Sequence, residues 1–189
     1  MKLPLRFLRA AVVCGLLLAA VPPCAFSALD PGPAAPLIAQ MVSRILEQNH
    51  YSHHPLDENT SKDLLSNYLD MYDYNHMFFD KSDIAEFQAK YSEQLSSKLK
   101  DGDLEPAFAI FDRFLKRLEE REVSVKQLAA GTMDFSVNET LATDRHEAPW
   151  PATSAEMSDL WRKRVKYEML QERLAKTKPA EQAKIVTTR

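Results

Sequence analysis

Glycine is scarce in this sequence, which has four glycines among its 189 residues. Gly15 lies in a hydrophobic leader, so the rest of the chain contains Gly32, Gly102 and Gly131. A loop that binds phosphate through its backbone needs several glycines close together, because its amides must approach the phosphates without an intervening Cβ. No two of these glycines are close enough for that. The scarcity therefore excludes nucleotide binding of the Rossmann and P-loop types.

Long apolar runs are also rare, and the run at 10–21 belongs to a predicted export signal. It follows three basic residues and is shorter than the roughly 20 residues that a transmembrane helix needs. A proline pair and small residues come next, and they place a cleavage site between Ser27 and Ala28. We therefore expect a signal peptide at 1–27 and an exported protein. An uncleaved membrane anchor is the alternative.

Cleavage at this site changes the composition of the mature chain. Both cysteines, Cys14 and Cys24, leave with the leader, so we expect no disulfide despite an oxidising destination. The leader carries three basic and no acidic residues, so 21 basic residues remain against 27 acidic ones and the net charge changes from −3 to −6. Nucleic-acid binding depends on neutralising phosphates and is not expected of an acidic domain. We also expect no membrane association after cleavage.

The mature chain has the apolar periodicity of a mainly α-helical bundle with four to five helices. After a Pro-rich entry segment at 28–36, the first helix carries one apolar face: Leu37, Ile38, Met41, Val42, Ile45 and Leu46. Another stripe predicts one continuous helix that ends at Gly102: Ile84, Phe87, Tyr91, Leu95 and Leu99. Gly131 is predicted to end the longest helix. The predicted N-caps are Thr60, Ser82, Asp103 and Thr153.

The segment at about 132–152 interrupts this helical pattern and is predicted to be one long ordered loop. Met133, Phe135 and Val137 alternate with polar residues, which allows at most one short strand. The helical domain is predicted to cover 37–176. Beyond it, 177–189 is predicted to be a linker or short helix.

Four histidines raise the question of a metal site: His50, His53 and His54 near one helix end, and His76 further along the chain. Zinc requires three or four converging ligands with an orienting second shell. The sequence has no HExxH motif and no cysteine pair to support such a site. We therefore predict neither a metal nor a cofactor.

Two serine–lysine pairs raise the question of a peptidase dyad: Ser97 with Lys100 and Ser158 with Lys163. Such a dyad needs a lysine desolvated enough to be neutral near pH 7. Charged neighbours should keep these ammonium groups hydrated. The run at 162–164 with Lys166 forms a basic patch, interpreted as a solvated helix face, with an acidic partner as the alternative. No residue is predicted to be catalytic.

Three stretches of the sequence carry a specific pattern, and the first is YDYNHMFF at 72–79 with SDI at 82–84 and Phe87. The second is MDF at 133–135 with DR at 144–145 and APWP at 148–151. The third is LW at 160–161 with RVKY at 164–167. In this order and spacing they resemble the N-terminal domain of the bacterial tail-specific (C-terminal processing) proteases. The resemblance runs from about Leu37 to Leu174. Its most specific residues are Asp144, Arg145, Pro149, Trp150, Pro151 and Trp161.

The family consists of periplasmic serine peptidases of the Ser-Lys type. In the parent proteins, the helical domain precedes a PDZ domain, which captures the C-termini of protein substrates, and then the protease domain. No position here matches the dyad, so the resemblance implies a truncated, non-catalytic scaffold that docks PDZ and protease domains, adaptors or substrates. The alternative is a stand-alone periplasmic interaction module without peptidase activity.

The loop at about 132–152 carries the most specific motif. Trp150 lies between two prolines, so it has little backbone freedom, and its large apolar ring is expected to pin the loop onto the helices. Asp144 and Arg145 are expected to bracket the loop by hydrogen bonds to its backbone.

Overall fold

A computed structural model describes residues 31–51 and 55–188. The predicted signal peptide, its cleavage site at Ser27 and Ala28, and the histidines His53 and His54 lie outside the described residues. Among the residues that are described, no helix is both long and apolar enough to cross a membrane.

The described chain is mainly helical, which confirms the predicted fold class, although it has more than the four to five helices predicted. Its seven helices are α1 (Ala35–Asn49), α2 (Glu58–Asp73), α3 (Lys81–Tyr91), α4 (Leu95–Asp101), α5 (Glu105–Ala130), α6 (Ser154–Leu174) and α7 (Pro179–Thr188). No strand occurs in the described ranges, so the short strand allowed at 133–137 does not form. A lone strand without a neighbour would leave its backbone groups unpaired.

Two clusters of buried side chains hold the helices together. The first joins α2, α3 and α4 to the beginning of α5: Leu65, Leu69, Phe79, Ile84, Phe87, Tyr91, Leu95 and Ile110. The second joins the end of α5 to α6 and α7 through Ala129, Val165 and Val186. At 26 residues, α5 is about 39 Å long. This helix contributes to both clusters and acts as the central support of the fold.

Two helices begin earlier than predicted, so the predicted N-caps Thr60 and Ser82 are wrong. Asp57 caps α2, and its Oδ1 accepts the Thr60 N–H at 2.9 Å. Asp80 caps α3, because its carboxylate accepts hydrogen bonds from the backbone N–H groups of Ser82 and Asp83. The Asp83 carboxylate in turn accepts the Asp80 N–H at 3.2 Å. An ionised carboxylate accepts hydrogen bonds from these amides, and its negative charge is also stabilised by the positive end of the helix dipole. Both effects favour aspartate over the nearby hydroxyls.

The other two caps are nearer to their predicted places. Leu104, not Asp103, occupies the N-cap of α5, although Asp103 Oδ1 still accepts the Glu105 N–H at 2.9 Å. Thr153 caps α6 as predicted, because its Oγ1 accepts the Glu156 N–H at 3.1 Å.

The continuous helix predicted to end at Gly102 is wrong, since α3 ends at Tyr91 and α4 begins at Leu95. Ser96 N donates to Ser61 Oγ of α2 at 3.0 Å. The chain therefore satisfies this amide with a side chain of another helix instead of continuing the hydrogen-bond ladder of α3. The spacing of the apolar residues along the chain contains no sign of this tertiary contact.

Gly102 ends α4 in the left-handed conformation, as predicted, with φ of +75°. A Cβ at this position would lie 2.8 Å from Pro36 O and 2.9 Å from Gln40 Nε2, where α1 approaches α4. Gly102→Ala should therefore lower the free energy of unfolding by about 2 kcal/mol, measured by urea denaturation.

The matched control is Gly32→Ala. Gly32 has φ of +70° but no atom within 4 Å of the added Cβ, so it isolates the backbone cost of about 1 kcal/mol. Equal losses of stability in the two variants would show that α1 can move to accommodate the added Cβ. Its contact with Gly102 would then have no energetic importance.

The apolar face predicted for α1 is real but does not pack into the core. Its six large side chains are 43–58 % exposed, and the buried residue among the fifteen of α1 is Ser43. Polar contacts attach the opposite side of the helix to α4. Gln40 Nε2 donates to Asp101 O at 2.8 Å, and Lys100 Nζ lies 2.5 Å from Glu47 Oε1.

Candidate functional site

The turn after α2 and the end of the loop at 132–152 meet around the buried carboxylate of Asp73. Asp73 is the last residue of α2 and is 2 % exposed. It accepts the amides of Met77 at 2.7 Å and of Phe78 and Phe79 at 3.0 Å each. Trp150 Nε1 donates to the same carboxylate at 3.2 Å. Asp73 thus closes its own turn and binds a ring 77 positions further along the chain.

Burial raises the pKa of Asp73, while its hydrogen bonds from the three amides and Trp150 favour the ionised form. The motif quoted above includes this residue, but sequence reasoning did not assign it a role. The sequence did contain a signal for it, namely an aspartate directly before a turn. An aspartate in that position often accepts hydrogen bonds from the backbone N–H groups of the residues that follow it.

Trp150 lies flat against His76, with 3.5 Å between the ring centroids, and packs on the first core cluster. His76 has a left-handed backbone, with φ of +51°, and its Nδ1 lies 2.5 Å from Ala148 O. Stacking and hydrogen bonds therefore place the Pro149–Trp150–Pro151 segment on the turn after α2. Pro149 is exposed, whereas Pro151 is buried and its carbonyl accepts the Lys81 N–H at 2.9 Å.

Asp144 and Arg145 both bond to loop backbone. Asp144 Oδ1 accepts the His146 N–H at 3.2 Å, and Arg145 Nη2 donates to Pro149 O at 3.3 Å. Arg145 N also donates to Asn75 Oδ1 at 3.1 Å, which adds a second link to the turn after α2.

Trp161 brings α6 to the same turn. Its Nε1 donates to Met77 O at 2.8 Å, and its ring meets Phe78 edge-on at 5.5 Å between centroids. The three stretches of the sequence motif are therefore joined in space: the turn after α2, the proline–tryptophan loop and the first half of α6. We call this arrangement the Asp73 junction.

Comparison with known families agrees with this arrangement. A model of the tail specific protease N-terminal domain matches residues 42–189, which include every part of the Asp73 junction. This chain belongs to the tail-specific protease N-terminal domain family. A tail-specific protease of Haemophilus influenzae is 35 % identical over 136 residues. The match covers 72 % of this chain but 20 % of that relative.

This tail-specific protease N-terminal domain holds the loop at 132–152 with a second set of contacts, on α6. Glu139 of the loop pairs with Arg162 and with Lys166, whose Nζ lies 2.5 Å from Glu139 Oε2. These hydrogen bonds lower the pKa of Glu139 to about 2.

The predicted basic patch is thus neutralised within the domain. Besides the pairs with Glu139, Lys163 Nζ lies 2.8 Å from Asp159, and Arg164 Nη2 lies 2.6 Å from Glu168. These pairs leave less free positive charge for the acidic partner that the sequence allowed.

Neither serine–lysine pair is arranged as a peptidase dyad. Lys100 Nζ pairs with Glu47, and Lys163 Nζ pairs with Asp159. A dyad requires a neutral amine beside the serine, whereas in each pair the lysine nitrogen contacts a carboxylate. Ser158 Oγ donates to Ser154 O at 2.7 Å within its own helix.

Trp150→Ala is expected to lower the free energy of unfolding by about 3 kcal/mol or more, because it removes both a packed ring and a hydrogen bond to Asp73. In a domain of this size, that corresponds to a fall in Tm of about 6 °C or more, measurable by thermal unfolding followed by circular dichroism. The matched variant Trp150→Phe keeps a ring on His76 but loses the N–H donor, so its loss of stability should be about half that of Trp150→Ala. An unchanged Tm for Trp150→Ala would show that the ring is a partner contact instead of an anchor.

Proposed function

We propose that this chain is the non-catalytic helical scaffold and docking domain of a periplasmic tail-specific serine protease. The observation that carries the proposal is an apolar face of α1 that none of the described elements covers, defined by its six exposed side chains, Leu37, Ile38, Met41, Val42, Ile45 and Leu46. Contiguous apolar surface of this kind marks a site that another protein surface covers.

The attachment of α1 supports this interpretation. Its polar side carries the bonds to α4 through Gln40 and Glu47, so the apolar face points away from the body of the domain. If the stripe served the domain's own core, these side chains would be buried as Leu65 and Leu69 of α2 are, at 2 % exposure each. The periodicity of α1 therefore fits a helix that packs against a surface outside this chain.

We infer that the surface belongs to another domain of the parent protease. This chain spans about a fifth of the length of the curated relative it matches, so most of that relative lies outside the matched region. The family places PDZ and protease domains there. A helix presented by a rigid scaffold can position those domains without contributing to catalysis, which is consistent with the ion-paired lysines of both serine–lysine pairs. The basic leader and its predicted cleavage before Ala28 support export to the periplasm.

A chimera tests the docking role. The matched segment of the Haemophilus protease is replaced by this domain, and cleavage of a denatured protein is measured. Met41→Lys combined with Ile45→Lys should lower cleavage at least about 10-fold, because charges cannot be buried in an apolar interface without large cost. Val123→Lys is the matched control, since Val123 is a comparably exposed apolar residue, at 52 %, on a different helix, α5, and its change should leave cleavage within about twofold.

Full activity of the double variant would refute docking through α1. The purified domain by itself should not cleave the same substrate. Cleavage that disappears in Ser97→Ala or Ser158→Ala would show that the chain is an enzyme.

The size of the endogenous protein distinguishes this proposal from a stand-alone module. An antibody to this domain, applied to a periplasmic fraction, should detect a protein several times heavier than 21.5 kDa. A band slightly below 21.5 kDa would favour the stand-alone module.

A further inference from the structure

Three potential metal ligands from separate segments meet beside the Asp73 junction. Asp70 belongs to α2, His76 to the turn after it, and His146 to the loop at 132–152. One ligand atom from each lies within 4.8 Å of the other two. Sequence analysis considered His76 with His50, His53 and His54, whereas the structure brings His76 to Asp70 and His146.

His76 presents an unsatisfied nitrogen to this cluster. Its side chain is 8 % exposed, and Nε2 is buried without a hydrogen-bond partner. The other ring nitrogen, Nδ1, lies 2.5 Å from Ala148 O. A carbonyl oxygen can only accept, so Nδ1 carries a proton, and in neutral histidine the Nε2 lone pair is then free.

The free lone pair faces a carboxylate. Asp70 Oδ1 lies 3.7 Å from His76 Nε2, so two acceptors face each other across a gap too wide for a direct hydrogen bond. A metal ion bound by both atoms turns this arrangement into an attractive one. The bond from Nδ1 to a backbone carbonyl is also the outer-shell contact that usually orients a metal-binding histidine.

His146 adds the third ligand. Its Nδ1 is buried without a hydrogen-bond partner, and its ring stacks on Tyr74 with 4.3 Å between centroids. Stacking fixes the plane of this imidazole at the edge of the cluster. Its side chain is 34 % exposed, and that of Asp70 is 26 % exposed, which leaves the cluster accessible from solvent on that side.

We propose that Asp70, His76 and His146 bind a divalent transition-metal ion, with Zn²⁺ as the representative. Two imidazole nitrogens and one carboxylate oxygen suit Zn²⁺, with water as a fourth ligand, whereas Mg²⁺ and Ca²⁺ prefer oxygen alone. Metal–ligand bonds of about 2.1 Å bring tetrahedral ligand atoms to about 3.4 Å from one another. Binding therefore requires small side-chain rotations, which the partly exposed Asp70 and His146 permit.

The ion has a structural role in this proposal. It joins the end of α2 to the loop at 132–152, alongside the hydrogen bond from Trp150 to Asp73. The inference does not depend on the proposed docking function, because neither α1 nor any peptidase activity enters it.

The purified, EDTA-treated chain is titrated with ZnCl₂ by calorimetry at about pH 7.5, where free histidine is neutral. We expect one Zn²⁺ per chain, and a Tm raised by about 5 °C or more at a free Zn²⁺ concentration of 100 times Kd. Co²⁺ should bind the same site and show the visible absorption of a low-symmetry nitrogen and oxygen environment. Mg²⁺ should not raise the Tm.

Variants assign the ligands. His146→Gln and Asp70→Asn change partly exposed side chains and should each weaken Zn²⁺ binding at least about 10-fold, which at the same free Zn²⁺ concentration reduces the rise in Tm to about half or less. The matched control is the triple change of His50, His53 and His54 to glutamine, which should leave affinity and stoichiometry unchanged.

Three results would overturn the proposal. One is the absence of Zn²⁺ binding by the folded chain. Another is binding that survives both His146→Gln and Asp70→Asn. The third is binding that disappears in the triple variant, which would assign the ion to the histidines near the end of α1.

Discussion

Asp73→Ala is expected to lower the free energy of unfolding by about 4 kcal/mol, because several buried donors lose one shared acceptor. The amides of Met77, Phe78 and Phe79 and the indole of Trp150 all donate to this carboxylate. An alanine side chain cannot accept hydrogen bonds, and the 2 % exposed site gives water little access. Urea denaturation followed by tryptophan fluorescence measures both the stability and the surroundings of Trp150.

Two further variants separate the carboxylate's contribution from general effects of substitution. Asp73→Asn keeps one acceptor oxygen but introduces an NH₂ group that faces N–H donors, so it should recover only part of the loss. Asp112→Ala removes an exposed carboxylate from α5 and should change stability by no more than about 0.5 kcal/mol. A loss below about 1 kcal/mol in Asp73→Ala would mean that the turn after α2 closes without this carboxylate.

Asp83→Ala is the second change expected to have a large effect, again about 4 kcal/mol. The Asp83 side chain is fully buried and pairs with Arg113 and with Arg117, whose Nε lies 2.8 Å from Oδ2. It also accepts the Asp80 N–H at the start of α3. Removing it leaves the partly buried guanidinium groups of Arg113 and Arg117 without their fully buried partner, which costs more than the loss of an exposed ion pair.

Glu86→Ala is the matched control. Glu86 pairs with the same Arg113 and with Lys90, but its side chain is 36 % exposed. Its removal should cost far less than that of Asp83, because solvent screens an exposed ion pair. Equal losses in the two variants would contradict the importance assigned to burial at Asp83.

Asp83 also predicts a pH dependence. Burial raises the pKa of this carboxyl, but hydrogen bonds from Arg117, the Asp80 amide and Arg113 outweigh it, so the folded-state pKa lies below the usual range. A group with a lowered pKa stabilises the fold above its unfolded pKa of about 4, and this stabilisation disappears as the pH falls through the folded-state value. Chemical denaturation between about pH 6 and pH 3 should therefore show a smaller loss of stability on acidification for Asp83→Ala than for the unsubstituted chain. Parallel curves would contradict the assignment.

Local regularities made much of this fold predictable. Residues three and four positions apart share a helix face, so the helices around α2, α5 and α6 could be located from spacing alone. Gly102 and Thr153 could be assigned because a left-handed cap and an N-cap depend on the residue itself and its nearest neighbours. The motif around Asp144, Arg145 and Trp150 was also recognisable before its geometry was known.

Tertiary contacts decided the rest. Periodicity identified the apolar face of α1. Which surface covers such a face depends on how whole helices pack, and none of the described elements covers the face of α1. The break between α3 and α4 depends on Ser61 of another helix. The bond between Asp73 and Trp150, and the approach of His76 and His146, join positions about 70 apart in the chain. Sequence spacing specifies neighbours within one helix, whereas contacts at this separation exist only after the loop has packed against the turn after α2.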